Sequence, residues 1–137
     1  MGVQENVQVV KNGYQAFSRG DIPGLLALLT DDVEWHHPGG YSLSGTYQGH
    51  DGVANFFRKL AQDFDILDLQ AREFVAEGDR VLVVGWERAK VRATNRTYEA
   101  DWIHAFTVRD GKVAKFREYT DTQAIAAAYG STARATG

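Results

Sequence analysis

The chain has 137 residues, 44% of them apolar, a formal net charge of -3 and no cysteine. This is enough for one globular domain with a real core and too little for two. Dispersed Lys and Arg offer no basic stripe to nucleic acid or to an anionic membrane, and the lack of cysteine excludes disulfides, thiolate catalysis and cysteine-ligated zinc. The amino terminus is polar and shows neither a charged leader nor an apolar run that could cross a bilayer, so a soluble cytoplasmic protein is expected.

In chain order, Val3, Val7, Val10, Tyr14 and Phe17 recur at helical spacing and predict an amphipathic helix ending near Gly20. Asp21 then caps a shorter helix with Pro23 in its first turn and Leu25, Leu26, Leu28 and Leu29 as its buried side, stopped by Asp31-Asp32. Val33 to Pro38 reads as a short strand halted by proline. The stretch from Gly39 to Gln48, rich in Gly and Ser, reads as a flexible loop or a lid over a site. From Gly49 a third helix carries Val53, Phe56, Phe57, Leu60 and Phe64 on one face. Strands follow at Ile66 to Ala76, Val81 to Val91 and Tyr98 onward, where Asp110-Gly111 is a strong two-residue hairpin signal. The Ala-rich segment after Asp121 predicts a last helix, and residues 131–137 a flexible tail. Helices followed by a strand meander give an α+β plan in which the sheet curls to bury one face.

Several of these segments carry a family resemblance. Val33-Glu34-Trp35-His36 before the Gly-rich loop, Gly49-His50-Asp51-Gly52-Val53 opening a Phe-rich helix, and Asp101 to Phe106 before Arg109-Asp110-Gly111-Lys112-Val113 resemble the SnoaL-like branch of the nuclear-transport-factor-2-like superfamily. Ketosteroid isomerases and limonene epoxide hydrolases are relatives. The resemblance implies one SnoaL-like domain over residues 1–130, with a curved antiparallel sheet wrapped on three N-terminal helices around a conical, cystatin-like hydrophobic pocket. It also implies a homodimer packed through the sheet and a small hydrophobic molecule as partner.

Site residues follow from the same comparison. Limonene epoxide hydrolases carry Glu-Arg-x-Asp on one strand and Arg-Asp-Tyr-Phe-Asp at the end of the last. The matching stretches here are Glu87-Arg88-Ala89-Lys90 and Arg117-Glu118-Tyr119-Thr120-Asp121, so Arg88 and Asp121 have counterparts while Lys90 replaces the second Asp. The family's water-holding Tyr and Asn fall on Trp35 and His37. The resemblance thus implies Asp121 as base, Asp101 as acid partner and Arg88 as electrostatic support. Trp35, His37, Tyr119 and Ile103 would touch substrate, and neither cofactor nor metal is called for. Strict alternation in the Tyr98 strand sets Asp101, Ile103 and Ala105 opposite Tyr98, Trp102, His104 and Phe106. Periodicity alone turns the aromatic face inward; the family comparison turns Asp101 and Ile103 inward. Asp121 can equally be the N-cap of the last helix, and adjacent His36 and His37 cannot both face one pocket. Two functions stay open: cofactor-independent isomerisation, cyclisation or hydrolysis of a hydrophobic carbonyl, lactone or epoxide compound by Asp acid/base chemistry, or a non-catalytic ligand-binding or interaction domain.

Overall fold

The computed structural model describes residues 2–130; the tail at 131–137 lies outside them. The helices α1 (Val3–Ser18) and α2 (Ile22–Leu26) lead into strand β1 (Leu29–His37), strand β2 (Gly45–Gln48) and helix α3 (Gly49–Asp63). The long strands β3 (Phe64–Glu77), β4 (Arg80–Val91), β5 (Arg96–Arg109) and β6 (Lys112–Thr120) follow, then helix α4 (Thr122–Tyr129). The strands form one six-stranded sheet in the order β2-β1-β6-β5-β4-β3, curved and unclosed as expected. No described helix is long and apolar enough to cross a membrane.

The β5–β6 hairpin turns where the Asp-Gly pair predicted. Asp110 and Gly111 have φ of 52° and 78°, the paired positive values of a tight hairpin turn that matches strand twist. Elsewhere the structure departs from the sequence-based expectation. Helix α2 ends at Leu26, because Leu29 already pairs with Val113 at the start of β1. The Asp31-Asp32 pair therefore lies inside a strand, at a register shift, where both side chains reach water. The β1–β6 pair is parallel, within a sheet otherwise antiparallel.

The Gly39 to Gln48 stretch is a fixed wall, not a flexible loop. Tyr41 is 7% exposed and Leu43 wholly buried. Ser44 Oγ donates to the Pro38 carbonyl at 2.9 Å, and the Tyr47 hydroxyl donates to the Leu43 carbonyl at 2.7 Å. The anchors are two aromatics and two hydroxyls, which satisfy backbone groups that water would otherwise hold.

Between sheet and helices lies an aromatic core. Trp35 stacks on Phe116 with centroids 3.9 Å apart, and Phe56 and Phe57 from α3 meet Trp35 edge-on or tilted. On β5, Trp102 and His104 stack at 3.8 Å, and Tyr14 of α1 lies over both. Gly85 makes room for this. A Cβ there would come within 2.2 Å of the Trp102 ring and 2.5 Å of the Gln70 carbonyl, so any side chain would drive the indole out of register.

Candidate functional site

The core does not close completely. A cavity of about 110 Å³ remains between α1, α3 and the inner face of the sheet. Its walls are mainly Leu, Val and Phe, and its polar lining is Tyr14, His37, Glu87, Tyr98, His104 and Glu118. No Lys or Arg lines it.

Sheet order assembles this group. His104 on β5 lies directly opposite Glu118 on β6. On the other side, β1 runs parallel to β6 with His36 beside Arg117, so the next residue, His37, reaches Glu118. The carboxylate thus stands between two imidazoles, with His37 Nδ1 at 3.1 Å from Oε1 and His104 Nε2 at 3.6 Å from Oε2. The His37 contact is off the N–H axis, so it acts by charge more than by a directed hydrogen bond. Each imidazole is held from behind by a phenol: Tyr14 lies 2.7 Å from His104 Nδ1, and Tyr41 2.9 Å from His37 Nε2. Burial first, and the charge of Glu118 next, push both phenols upward. They stay protonated, and each meets its imidazole as donor or acceptor according to the tautomer of the ring.

The two carboxyl groups of the cavity are driven apart. Burial alone would raise Glu118, which is 7% exposed. His104 and His37 more than reverse this and hold it well below the ordinary carboxylate range. Glu87, on β4 opposite the small Ala100, accepts a hydrogen bond from the Tyr98 hydroxyl at 2.5 Å. Burial, and then the negative charge of Glu118, push it up to about 7 against the opposing pull of Tyr98 and His37. One carboxyl is fixed as an anion and the other titrates near neutrality. Such a split marks an acid and a base in one site. The indole N–H of Trp35, a further lining residue, is buried without an acceptor.

A family model described as a SnoaL-like domain matches residues 10–116. The chain belongs to the SnoaL-like family. With its fold, this places it in the SnoaL-like branch of the nuclear-transport-factor-2-like superfamily. A nuclear-transport-factor-2-like protein of Burkholderia xenovorans is 48% identical and superposes with a TM-score of 0.88 over 93% of this chain and 98% of its own. TerC, crystallised with polyporic acid, is 34% identical with a TM-score of 0.83, covering 92% of this chain and 98% of its own. An uncharacterised protein of Mycobacterium tuberculosis is 24% identical over 83% of this chain and 87% of its own.

In this SnoaL-like domain only part of the expected site reaches the cavity. Trp35 and His37 line it, and His37 rather than His36 faces inward. Asp101, Arg88, Asp121, Tyr119 and Ile103 do not line it. Tyr119 and Ile103 are 53% and 40% exposed, and Asp101, Arg88 and Asp121 are exposed as well. The alternation of β5 explains this. Trp102, His104 and Phe106 bring far more apolar area than Ile103 and Ala105, so burial turns the aromatic face to the helices and Asp101 to solvent. Arg88 faces outward on β4, with Glu99 and Asp68 as its register neighbours. The three charged residues form no cluster: no hydrogen bond or ion pair links any two of them.

Asp121 has a definite local role. Its Oδ1 accepts from the Ala124 amide at 3.0 Å as the N-cap of α4. Asp121→Ala should therefore lower stability by roughly 0.5–2 kcal/mol, measured by urea unfolding, while leaving the cavity's chemistry intact. A loss of cavity function without a loss of stability would contradict this placement.

Proposed function

We propose that this domain is a cofactor-independent acid–base enzyme acting on a small, largely apolar carbonyl compound. His37 takes a proton on Nε2 as the Tyr41 hydroxyl turns off that nitrogen, Glu118 and His104 stabilise the imidazolium that forms, and Glu87 with Tyr98 returns a proton elsewhere on the same molecule. One observation carries the reading: Glu87 and Glu118 face one apolar cavity with their ionisation pushed in opposite directions. A binding pocket needs shape and a few donors; it has no use for two carboxyls of opposite state. The unpaired Trp35 N–H supports the reading as a donor for the substrate oxygen, where charge gathers when a C–H proton leaves. TerC, crystallised with polyporic acid, adds support for a small organic molecule as ligand. The net reaction is a proton shift, or a ring closure or hydration that begins with one.

The direct test is hydrogen–deuterium exchange at the α-carbon of a panel of enolisable cyclic and aryl ketones in heavy water, followed by NMR. Wild-type protein should accelerate exchange for at least one member, and His37→Gln should reduce that acceleration by roughly 10²–10⁴-fold. Saturable binding across the panel with no exchange would point instead to a ligand carrier.

A further inference from the structure

On the opposite face of the sheet, away from the cavity, lies a groove of about 220 Å³ that the acid–base chemistry does not use. Strand register builds it. Arg80 on β4, Thr107 on β5 and Lys115 on β6 are lateral partners in one row. In the next row Ala105 lies beside Arg117, and Arg117 beside His36 of β1. Two cationic edges, Arg80 on one side and Lys115 with Arg117 on the other, therefore flank a floor of small Ala105 and hydroxyl-bearing Thr107.

We propose that this groove binds a phosphate-class oxyanion, clamped between Arg80 and the Lys115–Arg117 pair, with the Thr107 hydroxyl as a further donor. The backbones of β4 and β6 stand roughly 10 Å apart, two strand spacings, which lets long Arg and Lys side chains converge on a tetrahedral anion. Among the described residues none of the three cations forms an ion pair, as is true of every described Lys and Arg except Arg19 and Arg109. Glu34 borders the groove without pairing with any of them. Arg117 is steadied over the Tyr119 ring, 5.7 Å from its centroid. His36 is held below its ordinary range, by burial first and by Arg117 and His37 next, against the opposing pull of Glu34. Three cations face one carboxylate, Glu34, the register partner of Lys115, and an oxyanion with several acceptor oxygens offsets the remaining positive charge while taking directed hydrogen bonds from Arg.

The test is amide chemical-shift mapping during titration of the full chain with inorganic phosphate at constant ionic strength, with chloride as reference, beside sedimentation velocity on the same samples. Saturable shifts should appear at Arg80, Ala105, Thr107, Lys115 and Arg117. The Lys115→Ala/Arg117→Ala double variant should weaken phosphate binding at least ~10-fold and leave amides around the cavity unmoved. Shifts that rise without saturation and match those in chloride would overturn the proposal, as would equal affinity in the double variant. A wild-type dimer that the double variant dissolves, with no saturable phosphate shift, would assign the groove to a second copy of the chain and equally overturn it.

Discussion

Glu118→Gln should cost the protein both reactivity and stability. The carboxylate is buried between His37 and His104 with no Lys or Arg in the cavity, so the two imidazoles are the groups that hold it as an anion. An amide cannot carry that charge, and its NH₂ would put a donor beside a ring nitrogen that now faces a carboxylate oxygen. Leaving the buried ring groups without that partner costs about 1–3 kcal/mol, a large share of the margin of a domain this size. Activity in the exchange assay should fall by roughly 10²–10⁴-fold, because the imidazolium formed on His37 loses the group that stabilises it. The acid limb of stability carries a second signature. Glu118 is held below its ordinary 4.5 in the fold. Its contribution is therefore present above that value and is lost as pH falls below it. Urea unfolding of wild type and Glu118→Gln from about pH 4.5 down to pH 3 should show the two curves converging. Parallel curves would mean that the carboxylate is not held by the imidazoles.

The fold was legible because its signals are local. The 3.6-residue spacing of α1, the Asp-Gly turn and the apolar face of α3 each lie within a single window of sequence. The site was harder, since His37, Glu87, His104 and Glu118 come from four strands that meet only through the order β1-β6-β5-β4. The parallel β1–β6 contact that brings His37 to Glu118 has no local sequence mark. A usable signal was nevertheless present. Glu118 alternates in phase with Phe116, His104 with Trp102 and Phe106, and Glu87 with Ala89 and Val91, so each is a polar residue on a face that must be buried. Both glutamates even fall inside the stretches that resemble the limonene epoxide hydrolase motifs, beside the matching Arg88 and Asp121. On β5 the periodicity was the better guide, and the family comparison turned the strand the wrong way. Tyr41 was hidden differently, because a Gly- and Ser-rich stretch reads as loose until its aromatic anchors are seen in place.

Glu87→Gln should remove most of the pH dependence of stability between mildly acid and neutral conditions. In the fold Glu87 titrates near 7 against an ordinary 4.5. Burial and the neighbouring Glu118 charge favour its protonated form. The sign follows: the stability that goes with neutral Glu87 is fully present below the unfolded value and is lost as pH rises through about 7. The gap corresponds to roughly 3 kcal/mol, an upper range for a pair of interacting carboxyls. Wild type should weaken by up to that amount between about pH 4.5 and pH 7 and then level off. Glutamine stays neutral throughout and can still accept the Tyr98 hydrogen bond on its carbonyl oxygen, so the variant should lose this slope and equal or exceed wild type at pH 8. Catalysis should move the other way. If Glu87 is the proton donor, wild-type turnover to the proton-shifted product declines above about pH 7, and Glu87→Gln turns over slowly at every pH with no such limb, while α-carbon exchange through His37 persists. Stability gained while activity is lost would identify Glu87 as a group kept buried for its chemistry. A variant that is both less stable and equally active would make it a packing residue tied to Tyr98. Because Glu118 supplies part of the upward push, Glu118→Gln should also bring the Glu87 titration partway back toward 4.5, a coupling that NMR of the side-chain carboxyls can read directly.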